Sequence, residues 1–187
     1  MKILVIQGHP DAESFTRANA LNYLQHAKDL GYDTELVDLS QTEFNPILRY
    51  GYRQHMSDER FPQHAQQLIQ DADHIAFFFP IWWSSEPAIL KGFIDRVLTP
   101  HFAYTYNSNG KNQKLLTNKT ASVFTTSHGP AFFYKMWGNT LFRWKYLVLG
   151  FCGIKTTACF DLGNMEAKVD TLKRRQAYMQ KCANSLK

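Results

Sequence analysis

No apolar stretch in this chain of 187 residues approaches the length of a membrane span. The longest, around residues 75–83 and 146–154, fall well short of the roughly 20 residues required, so no membrane insertion is expected. Cysteine is scarce: Cys152, Cys159 and Cys182 are odd in number and form no Cys-x-x-Cys pair. Neither a disulfide framework nor a zinc cage is indicated, no metal site is expected, and a reducing, cytoplasmic setting is the default. The start Met1-Lys2-Ile3-Leu4-Val5-Ile6 resembles the head of a secretory signal, but the apolar run ends at Gln7 and no small-residue cleavage site follows. Gly-x-Gly-x-x-Gly, Walker Gly-Lys-Ser/Thr, Gly-x-Ser-x-Gly and His-Glu-x-x-His are all missing. Their absence argues against a Rossmann dinucleotide site, nucleotide triphosphate hydrolysis, an α/β-hydrolase and a zinc peptidase. The net charge of +5 favours anionic partners. The basic residues are scattered, however, and the densest cluster, Lys173-Arg174-Arg175, lies in a helical pattern that reads as a solvated face, so no nucleic acid is expected.

What is present is an alternation of short apolar strands with amphipathic helices over residues 1–187, read as one domain. Strands are expected at 3–6, 34–39, 74–79, 121–126 and 155–160. A first helix carries Leu21, Leu24 and Ala27 and closes at Gly31. A second is expected at 63–71, and a third carries Ile89, Leu90, Phe93, Ile94, Val97 and Leu98. Val169, Leu172, Met179 and Leu186 mark a closing helix. Residues 40–61 read as irregular, and 99–119, with Asn107-Ser108-Asn109-Gly110, as a functional loop or small hairpin. Right-handed crossovers then give an α/β fold: a doubly wound five-stranded parallel sheet with helices on both faces, order 2-1-3-4-5 as the leading topology.

Such a sheet binds ligands outside the carboxyl ends of its strands, at the loops after strands one, three and four. The most informative of these is Phe77-Phe78-Phe79-Pro80-Ile81-Trp82-Trp83-Ser84-Ser85-Glu86-Pro87. Its uniformly apolar strand suits a position covered on both faces, Pro80 ends the ladder, and Ser84, Ser85 and Glu86 offer caps to the next helix. Trp82 and Trp83 can frame a flat aromatic ligand; core or interface packing is the competing reading. After strand one, His9, Ser14, Phe15 and Thr16 stand at a helix start whose amides suit a phosphate, although Ser14 also reads as an ordinary N-cap and His9 as a solvated loop residue. After strand four, Thr125-Thr126-Ser127-His128-Gly129-Pro130 offers alternating donors and acceptors to a ring edge, or is simply a polar turn. Phe132, Phe133, Tyr134, Trp137, Phe142, Trp144 and Tyr146 then form a pocket wall, a dimer contact or core. A flavin-type aromatic cofactor is the remaining candidate ligand.

At these residues the chain resembles the flavodoxin-like NAD(P)H:quinone oxidoreductases, which include the animal quinone reductases and shorter bacterial relatives. The likeness rests on Gly8-His9-Pro10 with Ser14-Phe15-Thr16, on Phe44-Asn45-Pro46-Ile47, and on Phe79-Pro80-Ile81-Trp82-Trp83 running into Pro87-Ala88-Ile89-Leu90-Lys91-Gly92. It continues through Phe102-Ala103-Tyr104-Thr105-Tyr106, Thr125-Thr126 and Phe151-Cys152-Gly153. The resemblance implies that His9, Ser14, Phe15 and Thr16 hold flavin phosphates, that Pro80, Ile81, Trp82 and Trp83 lie beside the isoalloxazine, and that Thr125, Thr126, Ser127 and His128 line its polar edge. It implies FAD, with FMN as the alternative, NAD(P)H as electron donor, a quinone or similar electron-poor aromatic as acceptor in a ping-pong hydride exchange, and a homodimer. Shorter relatives also resemble ancillary subunits of potassium-efflux antiporters, which gives an alternative, regulatory reading.

The chain departs from the animal enzymes at Ser127-His128, where they have Gly-Gly, and at Ser84, where they have an aromatic. Their following Tyr and His pair is not reproduced at matching spacing, which leaves His128 and Tyr134 as candidate catalytic residues for charge stabilisation.

Overall fold

A computed structural model describes residues 1–136 and 140–186. Five parallel strands, β1 (Lys2–Gln7), β2 (Asp33–Asp38), β3 (His74–Pro80), β6 (Thr120–Thr126) and β7 (Lys155–Leu162), form one sheet in the order β2-β1-β3-β6-β7. That is the expected 2-1-3-4-5. Residues 99–119 do contain a small antiparallel hairpin, β4 (Tyr104–Tyr106) with β5 (Asn112–Lys114).

The strands sort their side chains by the period of two. Leu4, Ile6, Ile75, Phe77 and Phe79 face a core layer closed by α2 (Arg60–Asp71), α3 (Ala88–Val97) and Trp144. Ile3, Val5, Ala76 and Phe78 face the opposite layer under α1 (Phe15–Asp29) and α7 (Leu172–Ala183). Both faces are therefore covered, which is why the middles of β1 and β3 read as unbroken apolar runs, while β6 buries Ser122, Thr125 and Thr126 among its apolar residues. Between β6 and β7 the chain forms α4 (Ala131–Met136), then a continuous helical stretch: α5 (Thr140–Phe142), a π-helical segment Arg143–Leu149 and α6 (Gly150–Cys152). A π-helix of this length is rare, and it turns Trp144 fully inward against Phe77 and Phe79, 5.0 and 4.6 Å between ring centroids. The aromatic cluster thus divides: Trp144 is core, Phe132, Phe133, Phe142 and Tyr146 are exposed, and Trp137 lies outside the described residues.

Three local expectations are corrected. No side chain caps α3; Pro87 is its N-cap residue, because the turn at 82–85 carries Ser84 and Ser85 away and the Glu86 side chain points inward. α2 starts at Arg60, three residues before the expected Gln63. The closing helix starts only after Thr171, whose hydroxyl accepts the Arg174 N–H; Val169 precedes it, Leu186 follows its last residue Ala183, and the helix buries Tyr178, Cys182 and Ala183, while Leu172 is exposed.

At the amino end of β3, His74 is buried, its Nδ1 2.8 Å from the Thr120 hydroxyl and its Nε2 without a partner. Burial pushes its pKa down to about 4. Between that value and the ordinary 6.5 the unfolded chain binds a proton that the folded chain refuses, so stability is full above this window and falls as the pH drops through it, by about 3 kcal/mol in all. Urea unfolding of wild type and His74→Gln at pH 7.5, 6 and 4.5 should show a wild-type loss that the variant lacks; parallel curves would remove His74 as its origin.

Candidate functional site

The carboxyl ends of β1, β3 and β6 open on a cleft of about 390 Å³ lined by His9, Asp11, Ser14, Phe15, Thr16, Pro80, Ile81, Trp82, Thr126, Ser127, His128, Met165, Glu166 and Arg175. Ten of the candidates read from the sequence converge here: His9, Ser14, Phe15, Thr16, Pro80, Ile81, Trp82, Thr126, Ser127 and His128. Three do not line it. Thr125 is buried, with its hydroxyl turned to Asp161. Tyr134 has its ring against the backbone of Gly129, and Trp83 stands fully exposed at the tip of a turn.

The floor of the cleft is the start of α1. Ser14 is its N-cap, accepting the Arg17 N–H at 3.2 Å, so the capping reading of Ser14 holds beside any ligand role. The preceding loop is fastened from below. The Gln7 amide donates to the His9 carbonyl and to Asp38, and its side-chain oxygen accepts the His9 N–H. Asp38 also accepts from Ser40 and from Arg17, which reaches the Ala12 carbonyl as well. Burial opposes ionisation of Asp38, but the hydrogen bonds from Ser40, Arg17 and Gln7 outweigh it and hold its carboxyl below the ordinary value. The His9 ring is half-buried edge-on against Trp82, 5.2 Å between centroids, and burial lowers its pKa.

The second wall is the turn at 82–85, closed by reciprocal backbone bonds between Trp82 and Ser85 (2.8 and 2.9 Å). Its central residues Trp83 and Ser84 both have positive φ, 51° and 57°, the left-handed pair that a two-residue hairpin usually builds from Asn-Gly. Non-glycine residues hold that conformation at a cost of about 1–2 kcal/mol each, and only where the surroundings impose it. Here Thr140 donates to the Ser84 carbonyl (2.7 Å), Arg143 donates to the Ser85 hydroxyl, and Glu86 accepts from Arg143, the Trp144 indole and Ser85.

The third wall joins two loops. Ser127 N–H donates to the Leu162 carbonyl, Met165 N–H to the Ser127 carbonyl and Asn164 N–H to the Gly129 carbonyl. His128 sits 3.8 Å from Glu166, both exposed. Sequence reasoning missed Asp11, Met165, Glu166 and Arg175. The signal for Arg175 was available: Lys173, Arg174 and Arg175 crowd the first turn of α7, where the helix dipole disfavours cations. A cation kept there faces an anion, and Asp170 grips the Arg175 guanidinium through two hydrogen bonds (2.6 and 3.0 Å), which hold the Asp170 carboxyl at a pKa of about 2. Arg175 also lies over the Phe15 ring at 5.3 Å.

The arrangement is that of a doubly wound α/β protein with an anion-receiving helix start and an aromatic wall at its switch point. The sequence profile of the family described as having a flavodoxin-like fold matches residues 1–186, and the chain belongs to the flavodoxin-like NAD(P)H:quinone oxidoreductase family. It is 34% identical to an uncharacterized NAD(P)H oxidoreductase of Haemophilus influenzae, covering 98% of this chain and 93% of that protein. Against the Homo sapiens ribosyldihydronicotinamide dehydrogenase (quinone) identity is 30%, over 84% of this chain and 79% of that protein. Among solved structures, Smu.1420 from Streptococcus mutans superposes with a TM-score of 0.79 at 30% identity, covering 98% of this chain and 97% of that one.

Proposed function

We propose that residues 1–187 form one flavin-binding domain that transfers two electrons from NAD(P)H to quinones or related electron-poor aromatics. The observation that carries this is the convergence of the α1 start, Arg175, the edge of Trp82 and the polar 126–128 loop on one cleft. The donor set suits a flavin: N–H groups and a guanidinium for phosphate, an aromatic wall for the ring, and backbone and hydroxyl groups for its polar edge. His9, Ser14, Phe15, Thr16 and Arg175 would hold the phosphates, with Pro80, Ile81 and Trp82 beside the ring and Trp83 outside the cleft at the tip of the 82–85 turn. Thr126, Ser127 and His128 would meet its edge, Thr125 acting only from behind. A flavin held there would supply the two-electron redox chemistry between NAD(P)H and the acceptor, and one cleft would serve both substrates in turn. His128, exposed at the cleft mouth, is the candidate for steadying negative charge there; Tyr134 supports Gly129 and does not enter.

FAD is the expected flavin and FMN the alternative. The exposed apolar side chains Phe132, Phe142, Tyr146 and Leu147 support a homodimer, and the three free cysteines support a reducing, cytoplasmic setting. Absorption spectra of purified protein reconstituted with FAD or FMN, then given NADPH or NADH anaerobically and a quinone, should show bleaching and recovery. Arg175→Ala should weaken flavin binding about tenfold to a hundredfold through loss of a charge-assisted contact. Tight binding without bleaching would favour the antiporter-subunit reading, and no binding would remove the cofactor assignment. Light-scattering chromatography of the same sample should give twice the chain mass; a monomer would refute the dimer.

A further inference from the structure

Asp161 has no place in the function as argued so far, yet it stands directly behind the cleft wall. It pairs with Thr125 across β6 and β7, and its two carboxylate oxygens each accept one hydroxyl: Oδ1 from Thr125 Oγ and Oδ2 from Ser127 Oγ, both at 2.7 Å. The Thr125 and Ser127 hydroxyls are buried, while Asp161 itself is half-buried. Ser127 has a second acceptor in reach, the Gly129 carbonyl at 3.2 Å, but a hydroxyl carries one hydrogen and serves one acceptor well.

This gives Asp161 control over the wall. Ionised, it is acceptor-only and draws both hydroxyl hydrogens to itself, leaving Ser127 to show the cleft only lone pairs. Protonated, it donates one hydrogen itself and releases a hydroxyl, so the Ser127 hydrogen turns to Gly129, whose carbonyl also holds the Asn164 N–H. We propose that Asp161 is a positioning residue of the flavin cleft, whose protonation state sets the Ser127 hydroxyl and the charge behind the 127–129 wall and thereby tunes how much more tightly reduced than oxidised flavin is held. The proposal rests on the flavin reading above.

The groups facing Asp161 fit this role. Arg174 of α7 is the nearby cation; its Nη2 donates to the Gly163 carbonyl, and its Nη1 lies 3.8 Å from Asp170. The Tyr178 hydroxyl, also from α7, is spent on the Thr125 and Phe160 carbonyls (2.8 and 2.9 Å). Asp161 also faces an outer surface groove, lined with it by Lys145 of the π-helical segment, Lys181 of α7 and Cys159 of its own strand; Lys181 lies over the Phe160 ring at 4.2 Å. None of these donates a hydrogen bond to the carboxylate, and burial raises its pKa against the opposing pull of Ser127, Thr125 and Arg174.

Two measurements test it. In the flavin-free protein, the backbone amide resonances of Ser127 and Asn164 should follow one titration that disappears in Asp161→Asn and moves to higher pH in Ser127→Ala, which removes one of the two bonds favouring the carboxylate. In the loaded protein, spectroelectrochemical titration of Asp161→Asn at pH 8 should show reduced flavin held about tenfold more tightly relative to oxidised than in wild type, about 30 mV for a two-electron couple. The Ser127→Ala potential should keep a break against pH, displaced in the same direction as the amide titration. Amides that titrate identically in wild type and Asp161→Asn would overturn the hydroxyl switch whether or not flavin binds. A wild type that binds flavin with the same potential and pH slope as Asp161→Asn would overturn the tuning role, whereas a wild type that binds no flavin would sink the cofactor reading and with it the tuning, leaving the amide titration to judge the switch alone.

Discussion

Glu86→Ala is expected to lower the free energy of unfolding by about 3 kcal/mol, the lower end of the range for breaking a buried ion pair from one side. The lower end applies because the Arg143 side chain is 30% exposed while that of Glu86 is fully buried. Three donors lose their acceptor together: the Arg143 guanidinium, the Trp144 indole N–H and the Ser85 hydroxyl. The effect extends to the site, because Arg143 and Ser85 help impose the two left-handed residues of the 82–85 turn. Without that support the chain gains by letting Trp83 and Ser84 relax, and the wall carrying Trp82 moves with them. Urea unfolding gives the stability and flavin titration the site effect. The paired change Glu86→Met with Arg143→Met should recover most of the stability, since an apolar pair of similar volume leaves no unpaired charge. The carboxylate carries no such role if Glu86→Ala unfolds within about 0.5 kcal/mol of wild type.

The parts of this molecule that were legible in its sequence are those decided by local patterns. β1 and β3 are covered on both faces and read as apolar runs, and Gly31, at φ 80°, ends α1 where a left-handed residue is needed. The loops after β1, β3 and β6 were legible as the walls of one cleft because the topology puts them on one edge. What was not legible depends on partners far along the chain. Thr125 reads as a residue of the polar edge until Asp161, 36 positions on, takes its hydroxyl. Glu86 reads as a helix cap until Arg143 and Trp144 claim it from 57 and 58 positions away. The π-helical stretch has no periodic signature, and Val169 and Leu172 mimic a helical stripe that the capping of α7 at Thr171 overrides.

Gly163→Ala is expected to damage fold and cleft at once, because the space at Gly163 is already filled by backbone. A Cβ there would overlap the Ala131 nitrogen and meet the Gly129 carbonyl oxygen at 2.6 Å and the Pro130 carbonyl carbon at 2.9 Å. None of these is the flexible end of a side chain, so the 129–131 loop and the 162–165 loop must separate. The bonds joining them are those that set the third wall: Asn164 N–H to the Gly129 carbonyl, Met165 N–H to the Ser127 carbonyl and Ser127 N–H to the Leu162 carbonyl. Overpacking of this kind costs about 1–3 kcal/mol, and the displaced residues include Ser127 and His128, so flavin affinity should fall by about tenfold or more. A useful contrast is Gly110→Ala, at φ 72° with nothing within 4 Å, which meets backbone strain alone, about 1–2 kcal/mol, far from the cleft. Gly110→Ala should lose stability and keep native flavin affinity, while Gly163→Ala loses both. Equal flavin affinity in the two variants, measured by fluorescence titration at a temperature where both are folded, would mean that the junction of these loops does not shape the cleft.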